Sequence, residues 1–293
     1  MAAEDLHGRT VGVDRLQPGD HAFLGHADDD TLWEILGVFT QQGFARDEKV
    51  GLLVDVDRSV RWVAARVAGG TAAAAKAQRS GQLVVSNTPR FARGEFDAGR
   101  LVEGVRRRLA TADTEGFSGL RSASEMSLAL APVDHLGQAV EFEVAVHSSL
   151  FAAGRAARYT GLCLWDERLF GGTDAMDAVR VMHPVTVLPR LGALHASAAG
   201  NLVQVTGDSD LANRAAFDAA LLALSGLPAT TLVLDIADLS FFDAHSASAV
   251  LRLAAELTGP RRLEVRCRNA QRRLLHVLGG RCVRQLSIIT MRL

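Results

Sequence analysis

Carboxylate, hydroxyl and imidazole side chains are concentrated near the C-terminus, where residues 238–248 read DLSFFDAHSAS. A Ser-His-Asp constellation could carry out nucleophilic hydrolysis, but side chains that leave one turn point in different directions and do not make a triad. Binding is the better-supported chemistry, because the exposed amides and the dipole at a helix start attract a phosphate group or a docking partner. We call residues 238–248 the docking segment. The residues expected to take part in docking or regulation are Asp238, Ser240, Phe242, Asp243, His245, Ser246 and Ser248.

The flanking sequence predicts the elements that position this segment. Thr231 to Ile236 is almost continuously apolar, as in a buried strand, and residues 244–257 have the spacing of small and apolar residues that is typical of a packed helix. The docking segment therefore lies between the carboxyl end of a strand and the first turn of a helix. Phe241 and Phe242 are candidates for a docking patch, with one of the two expected in the core. In a purely local interpretation, His245 and the residue after it only make hydrogen bonds to backbone amides.

The chain from Leu191 onward predicts a small α/β domain. A Gly-Asn hairpin signal at Asn201 joins two strands, and a helix follows with Asp210 as its cap and with Leu211 and Leu222 on its apolar face. Strands and helices then alternate, which favours a sheet with helices packed against it. The predicted strands are 194–198, 202–207, 231–236, 263–267 and 286–292, and the predicted helices are 210–224, 244–257 and 270–278.

The docking segment resembles the signature of the STAS family, which includes the anti-sigma factor antagonists. In those antagonists a strand ends in Asp-Ser-Ser-Gly, and the second serine is phosphorylated by a partner kinase that is itself the anti-sigma factor. Residues 239–243 match the approach to this motif, His245 stands at the phosphoacceptor position and Ser246 aligns with the glycine. Ser246 becomes an acceptor only if the register slips by one residue. The resemblance implies docking to an anti-sigma factor or a related switch kinase, without the usual phosphoserine.

The first two thirds of the chain contain a second set of polar residues at strand ends. Strands and helices alternate there, which predicts an open, mostly parallel sheet covered on both faces. In such sheets ligands bind outside the carboxyl ends of the strands. The predicted strands are 21–24, 50–56, 82–86, 120–123 and 159–165, and the predicted helices are 31–44, 59–67, 98–110, 140–151 and 173–182. The candidate ligand-binding residues are His21, His26, Asp55, Asp57, Asn87, Glu125, Glu143 and Asp166.

These candidates have alternative interpretations. Glu125 and Glu143 could be paired carboxylates for acid–base chemistry, or caps and salt-bridge partners near helix starts. His21 and His26 with the aspartates at 28–30 could make an oxygen and nitrogen metal site, or a solvated loop. The sequence leads us to expect no metal ion, no cofactor and no catalytic residue.

A phosphate-binding loop of the GxxxxGK[ST] type is absent from the sequence. The position after the first strand reads GHADDD, whose acidic residues would repel phosphates. ATP hydrolysis is therefore not expected, and the chain is not predicted to be an enzyme. A regulatory small-molecule ligand remains compatible with the sequence.

The front region resembles the MEDS family of sensory domains over residues 11–188. The resemblance depends on short motifs in order: Asp20-His21, Glu125-Met126-Ser127, Glu141-Phe142-Glu143, Cys163-Leu164-Trp165-Asp166 and His183-Pro184. It implies a fold related to the RecA and KaiC ATPases. The predicted organisation is an N-terminal tail at 1–10, a MEDS-like domain at 11–188, a linker at 189–193 and a STAS domain at 194–293.

Composition and charge constrain the binding partners and the cellular location that we expect. The chain has 293 residues, is 48% hydrophobic and has a formal net charge of −1, so we expect neither nucleic-acid nor membrane binding. Its three cysteines show no paired spacing, and no leader or long apolar run is apparent, so we expect a cytoplasmic protein.

The sequence thus predicts a cytoplasmic signalling protein, with a sensor in front and a STAS output domain that binds an anti-sigma factor and so regulates a sigma factor. The alternative is a degenerate, nucleotide-binding or small-molecule-binding ATPase-like module whose STAS-like tail mediates assembly. The oligomeric state is left open.

Overall fold

The computed structural model describes residues 8–55, 57–87, 97–126, 136–151, 157–170 and 174–291. The chain divides into two compact units, Met1–Arg190 and Leu191–Leu293. Each unit has its own buried apolar residues. The predicted class, an α/β sheet domain followed by a smaller α/β domain, is confirmed.

Unit 1 is built on a parallel sheet of seven strands within the described residues. The strands are β1 (Arg9–Val11), β2 (His21–His26), β3 (Lys49–Val54), β4 (Leu83–Asn87), β5 (Leu120–Glu125), β6 (Tyr159–Asp166) and β7 (Val185–Val187). Their order across the sheet is β1-β7-β2-β6-β5-β3-β4. Strands β2 and β6 lie at the centre, where they pair from His21 with Gly161 to His26 with Asp166.

Helices cover both faces of this sheet. They are α1 (Asp29–Ala45), α2 (Val60–Ala68), α3 (Thr71–Arg79), α4 (Ala98–Thr114), α5 (Leu136–Val146), α6 (Glu167–Phe170) and α7 (Asp174–Val181), and α5 continues as a π-helical segment, His147–Phe151. Side chains alternate along β6, so Leu162 and Leu164 pack with α1 to α3, whereas Cys163 and Trp165 pack with α4, α5 and α7. The near-continuous burial of β2 and β6 is the pattern of strands covered on both faces.

Unit 2 contains a mixed sheet. Its elements are β8 (Leu194–Ala199), β9 (Leu202–Ser209), α8 (Arg214–Ser225), β10 (Thr231–Asp235), β11 (Leu239–Phe242), α9 (Ala244–Glu256), β12 (Arg262–Cys267), α10 (Asn269–Val277) and β13 (Leu286–Thr290). Strand β8 is antiparallel to β9, and the other pairings are parallel. Both β10 and β11 pair with β9, so the chain leaves the sheet after Asp235 and rejoins it four residues later.

The helix after β9 differs from its prediction. It begins at Arg214 rather than at Asp210, because the Asp210 carboxylate accepts hydrogen bonds from the Ala212 and Asn213 amides and closes a turn instead. Leu211 and Leu222 are 73% and 75% exposed. The buried face is instead made by Phe217, Ala220, Leu221 and Leu224, since the large Phe217 ring anchors the helix on the sheet.

Two short strands at the margin of unit 1 were not predicted. Arg9 and Thr10 were expected in an N-terminal tail, and Val185 and Thr186 in a segment that leads into the linker. In the structure these residues pair with one another as parallel strands. Strands of three residues carry too little periodic pattern to be recognised. Among the described residues, no helix combines the length and the hydropathy needed to cross a bilayer.

Candidate functional site

A cavity of about 170 Å³ opens at the carboxyl ends of the unit 1 strands. Four of the predicted ligand-binding residues line it, namely His26, Asp55, Glu125 and Asp166. We call it the carboxyl-end cavity. Asp57 and Asn87 do not line it but belong to the adjoining turn, where the Asn87 side-chain amide donates to the Asp55 carbonyl and the Asp57 amide donates to the Asp55 carboxylate.

A buried imidazole–carboxylate pair lines the carboxyl-end cavity. His26 ends β2 and Glu125 ends β5, and their Nε2 and Oε2 atoms are 3.2 Å apart. Both residues are almost completely buried. An imidazole beside a carboxylate can exchange hydrogen bonds with a small polar ligand, which is the chemistry expected of a binding site at a strand end.

Arginines that the sequence analysis missed neutralise the acidic part of the cavity. Arg168 lies 2.6 Å from the Asp166 carboxylate and 3.1 Å from that of Asp29, and Arg58 also pairs with Asp29. Burial acts to raise the pKa of Asp29, but the two guanidinium groups outweigh it and hold that pKa below its usual value. Asp28 caps the start of α1, because its carboxylate accepts a hydrogen bond from the Thr31 amide. The expected repulsion of phosphates is therefore weaker than the run of aspartates suggested.

His21 and Glu143 are predicted site residues that lie elsewhere, on the opposite face of the sheet from His26. They meet Cys163 and His183 in a fully buried group whose donor atoms all lie within 4.8 Å of one another. We call these four residues the buried cluster. Glu143 Oε2 is 3.1 Å from His21 Nε2, 3.3 Å from His183 Nε2 and 3.6 Å from Cys163 Sγ.

Burial dominates the electrostatics of this cluster. It lowers the pKa of His21 to about 4, so the imidazole is neutral at physiological pH. Burial also acts to raise the pKa of Glu143, but His183 and His21 outweigh it and hold that pKa at about 2. Burial and the Glu143 carboxylate raise the pKa of the Cys163 thiol well above its usual value. The cluster thus contains one carboxylate, one thiol and two closely packed imidazoles.

In unit 2 the docking segment forms β11 and the first turn of α9. The Asp243 carboxylate caps the helix by accepting from the Ser246 amide at 2.7 Å, and Arg214 lies 3.4 Å away from it. Ser246 is completely buried, and its hydroxyl accepts a hydrogen bond of 2.7 Å from Ser209 Oγ. Ser246 is therefore not accessible to an enzyme in this conformation.

The other docking residues are only partly covered. His245 and Ser240 are half-buried, and the Ser248 hydroxyl donates to the Ala244 carbonyl. Phe242 packs against the Phe217 ring, whereas Phe241 is 52% exposed, so one of the two phenylalanines lies in the core as expected.

Asp238 has a side chain that is only 15% exposed and is paired with Arg268 at 3.0 Å. The surface that remains open to a partner therefore comprises the Phe241 ring and the His245 imidazole, next to the capped helix start.

The sequence of the chain matches one known family over residues 20–184, the methanogen/methylotroph DcmR sensory domain, or MEDS. The chain belongs to the MEDS family. The matched region spans more than half of the chain and contains both the carboxyl-end cavity and the buried cluster. The MEDS resemblance predicted from short motifs is confirmed, and a sensory domain indicates a role in signalling.

No curated protein matches the chain. Among solved structures, the C-terminal part is similar to an anti-sigma factor antagonist from Mycobacterium paratuberculosis, with 20% sequence identity and a TM-score of 0.29. The match covers 32% of this chain and 83% of that protein. Similarity at this level carries no functional conclusion, so the role of unit 2 has to be argued from its own residues.

Local sequence could not reveal the roles of four residues that shape the carboxyl-end cavity and the buried cluster. Arg58 and Arg168 follow strand ends, where a basic residue usually faces solvent. Cys163 and His183 stood out only within the short motifs of the MEDS resemblance and were not predicted to be site residues. Cys163 and His183 come close to Glu143 only through sheet pairing and helix packing, and the spacing of residues along the sequence does not reveal such contacts.

Proposed function

We propose that this MEDS protein is a cytoplasmic sensor whose C-terminal unit binds an anti-sigma factor of the switch-kinase type, and thereby regulates a sigma factor. The observation that supports the proposal best is the start of α9. There, an exposed phenylalanine and a half-buried histidine flank a capped helix N-terminus, at the position where STAS antagonists carry their phosphoacceptor.

The surface at this helix start has the composition of a small protein interface. Aromatic side chains are enriched in the energetically important parts of interfaces, and Phe241 is exposed although its neighbour Phe242 is packed in the core. The amides of the first turn add a polar component that favours an acidic group on the partner. His245 is the second residue of α9 and belongs to this first turn.

Control of docking by phosphorylation has no good acceptor here. Ser246 is buried and bonded to Ser209, and His245 replaces the serine of the STAS motif. In the serine-bearing relatives, phosphorylation adds negative charge and blocks docking. With histidine at that position the surface stays competent to bind, and control passes to the MEDS unit. A ligand exerts such control only if it favours one state of the protein over another.

The carboxyl-end cavity supports a small ligand for the sensor. At about 170 Å³ it is smaller than the 300–1,000 Å³ that is usual for pockets binding drug-sized molecules. Its wall combines the Trp33 ring with the His26–Glu125 pair and the two arginines. A small molecule with an apolar part and one or two polar groups suits this lining better than an intact nucleotide does.

A pull-down from extract of the native host, with partners identified by mass spectrometry, tests the proposed function. The baits are the wild type, His245→Asp and the matched control His195→Asp, which places the same change on the exposed strand β8. We expect the wild type and His195→Asp to capture a switch kinase that His245→Asp loses. Capture of no such kinase by the wild type, or equal capture by all three baits, would contradict the proposal.

The second candidate function, a degenerate ATPase-like module that binds a nucleotide or small molecule while unit 2 mediates assembly, is favoured by the arginines of the carboxyl-end cavity. Nucleotide binding that raises the melting temperature of the wild type, but not that of Asp55→Ala or Glu125→Ala, would support it.

A further inference from the structure

We propose that the buried cluster of His21, Glu143, Cys163 and His183 is a binding site for a single divalent transition-metal ion of the zinc class. The four side chains come from four different elements, β2, α5, β6 and the turn between α7 and β7. All four are buried, and each offers one donor atom to a group whose members lie within 4.8 Å of one another. The proposal concerns unit 1 only and does not depend on what unit 2 binds.

The spacing of the donor atoms fits tetrahedral coordination. Zinc binds nitrogen and oxygen at about 2.0–2.1 Å and sulfur at about 2.3 Å, so the edges of the tetrahedron measure about 3.3–3.6 Å. The distances from Glu143 Oε2 to His21 Nε2, His183 Nε2 and Cys163 Sγ are 3.1, 3.3 and 3.6 Å, and that from Cys163 Sγ to His21 Nε2 is 3.6 Å. Three of these four edges have that length, the fourth is 0.2 Å shorter, and the two remaining edges measure at most 4.8 Å.

The hydrogen bonds around the cluster orient one imidazole and leave one carboxylate oxygen unsatisfied. His183 Nδ1 donates to the Val179 carbonyl at 2.9 Å, which turns Nε2 toward Glu143 Oε2 at 3.3 Å. Metal-binding histidines are usually held through their other nitrogen in this way. Among the described residues, Glu143 Oε1 has no hydrogen-bond partner although it is buried. Buried polar atoms without partners are rare, which suggests an unsatisfied ligand role.

Charge balance favours the same assignment. A thiolate, a carboxylate and two neutral imidazoles carry two negative charges, which a divalent cation neutralises. Binding requires the Cys163 thiol to release its proton to solvent as the sulfur–metal bond forms. A thiolate and imidazoles select zinc or similar ions over magnesium and calcium, which prefer oxygen ligands.

The surroundings of the cluster indicate a closed, structural site. Four protein ligands leave no open position for a substrate, unlike the three that are usual in catalytic zinc sites. The Phe151 ring stacks on His21 with 4.8 Å between centroids, at the end of the π-helical segment. π-helical turns within helices frequently mark functional sites. A bound ion would connect α5 and this segment to the central strands.

The test uses the full-length protein. Wild type is purified, dialysed against metal-free buffer and analysed for bound metal, and the chelator-treated protein is then titrated with Co²⁺ alone. We expect one zinc ion per chain, and Co²⁺ spectra with tetrahedral ligand-field bands and a thiolate charge-transfer band that saturate at one equivalent.

Cys163→Ser should abolish the charge-transfer band, whereas Cys282→Ser, which changes an exposed cysteine of unit 2, should leave it unchanged. His183→Gln should weaken zinc binding by at least the roughly 10–100-fold that loss of an outer partner of a metal ligand costs. A wild type that shows no thiolate band with Co²⁺, or a band that survives Cys163→Ser, would overturn the proposal. The wild-type spectrum alone shows whether a thiolate binds Co²⁺, so the proposal remains testable even if a variant does not fold.

Discussion

At the scale of single residues, the docking segment combines one contact that its sequence predicts with another that it does not. Asp243 could be predicted to start a helix, because an aspartate before a run of small and apolar residues is a common cap. The burial of Ser246 could not be predicted, since its partner Ser209 lies on a different strand. The position of His245 at the phosphoacceptor site follows from alignment to the motif alone.

Ser246→Ala should lower the free energy of unfolding of the protein by about 1–3 kcal/mol, because it leaves the buried Ser209 hydroxyl without its partner. The double variant Ser209→Ala/Ser246→Ala should be less destabilised than the sum of the two single variants. Urea unfolding of the four proteins measures this coupling. Additive effects would show that the two hydroxyls do not interact.

Asp243 should contribute stability that depends on pH. Burial acts to raise its pKa, but the Ser246 amide and Arg214 outweigh that effect and hold the pKa below its usual value. A carboxyl group whose pKa is lowered by folding stabilises the protein above its unfolded pKa, and this stability is lost as the pH falls through the folded pKa.

Asp243→Asn keeps a capping side chain but removes the charge, so we expect it to cost about 0.3–1 kcal/mol at pH 6 and progressively less below about pH 4. Urea unfolding at a series of pH values measures the difference from wild type. Asp218→Asn, at an exposed site on α8, is the control. A cost for Asp243→Asn that stays constant down to pH 3 would contradict the assigned role.

At the scale of elements, a buried ion pair connects α1 and the neighbouring strands β3 and β5. Arg121 of β5 is completely buried, lies 2.7 Å from Glu48 at the start of β3 and packs over the Phe39 ring of α1. The strands themselves were predictable from their apolar runs, but this pair was not, because an arginine inside a strand normally points to solvent. The start of α8 could not be predicted from local sequence either, because Asp210 closes a turn instead of capping the helix.

Glu48→Gln should lower the free energy of unfolding by about 3–5 kcal/mol, because it leaves the buried Arg121 charge without its counterion. Asp113→Asn breaks the exposed pair with Arg158 and should cost less than about 1 kcal/mol. Thermal unfolding of both variants gives the comparison. Similar costs for the two would show that the Arg121 site is better solvated than its burial implies.

At the scale of the whole molecule, the division into two units follows from two separate sets of apolar contacts. The buried residues of unit 2 form one cluster, from Val203 to Leu275, that shares no member with those of unit 1. The class of each unit was predictable from the alternation of strands and helices. The return of β11 to the sheet was not, since four residues within a polar segment carry no clear period.

A fragment of residues 191–293 should fold on its own, because its core is complete. Circular dichroism and a cooperative urea transition are the measurements. We expect one transition and the amide-exchange protection of β9, β10 and β12. A fragment that is unfolded in buffer would show that unit 2 depends on unit 1.

The central claim is that the start of α9 docks an anti-sigma factor. The most direct test is calorimetry, in which purified switch-kinase anti-sigma factors of the native host are titrated into wild type, His245→Asp and His195→Asp. An aspartate suits the first turn of a helix, so His245→Asp should remain folded. We predict binding to wild type and His195→Asp at equal strength, and at least a tenfold loss, about 1.4 kcal/mol, for His245→Asp. No binding to wild type, or equal affinities for all three proteins, would contradict the account.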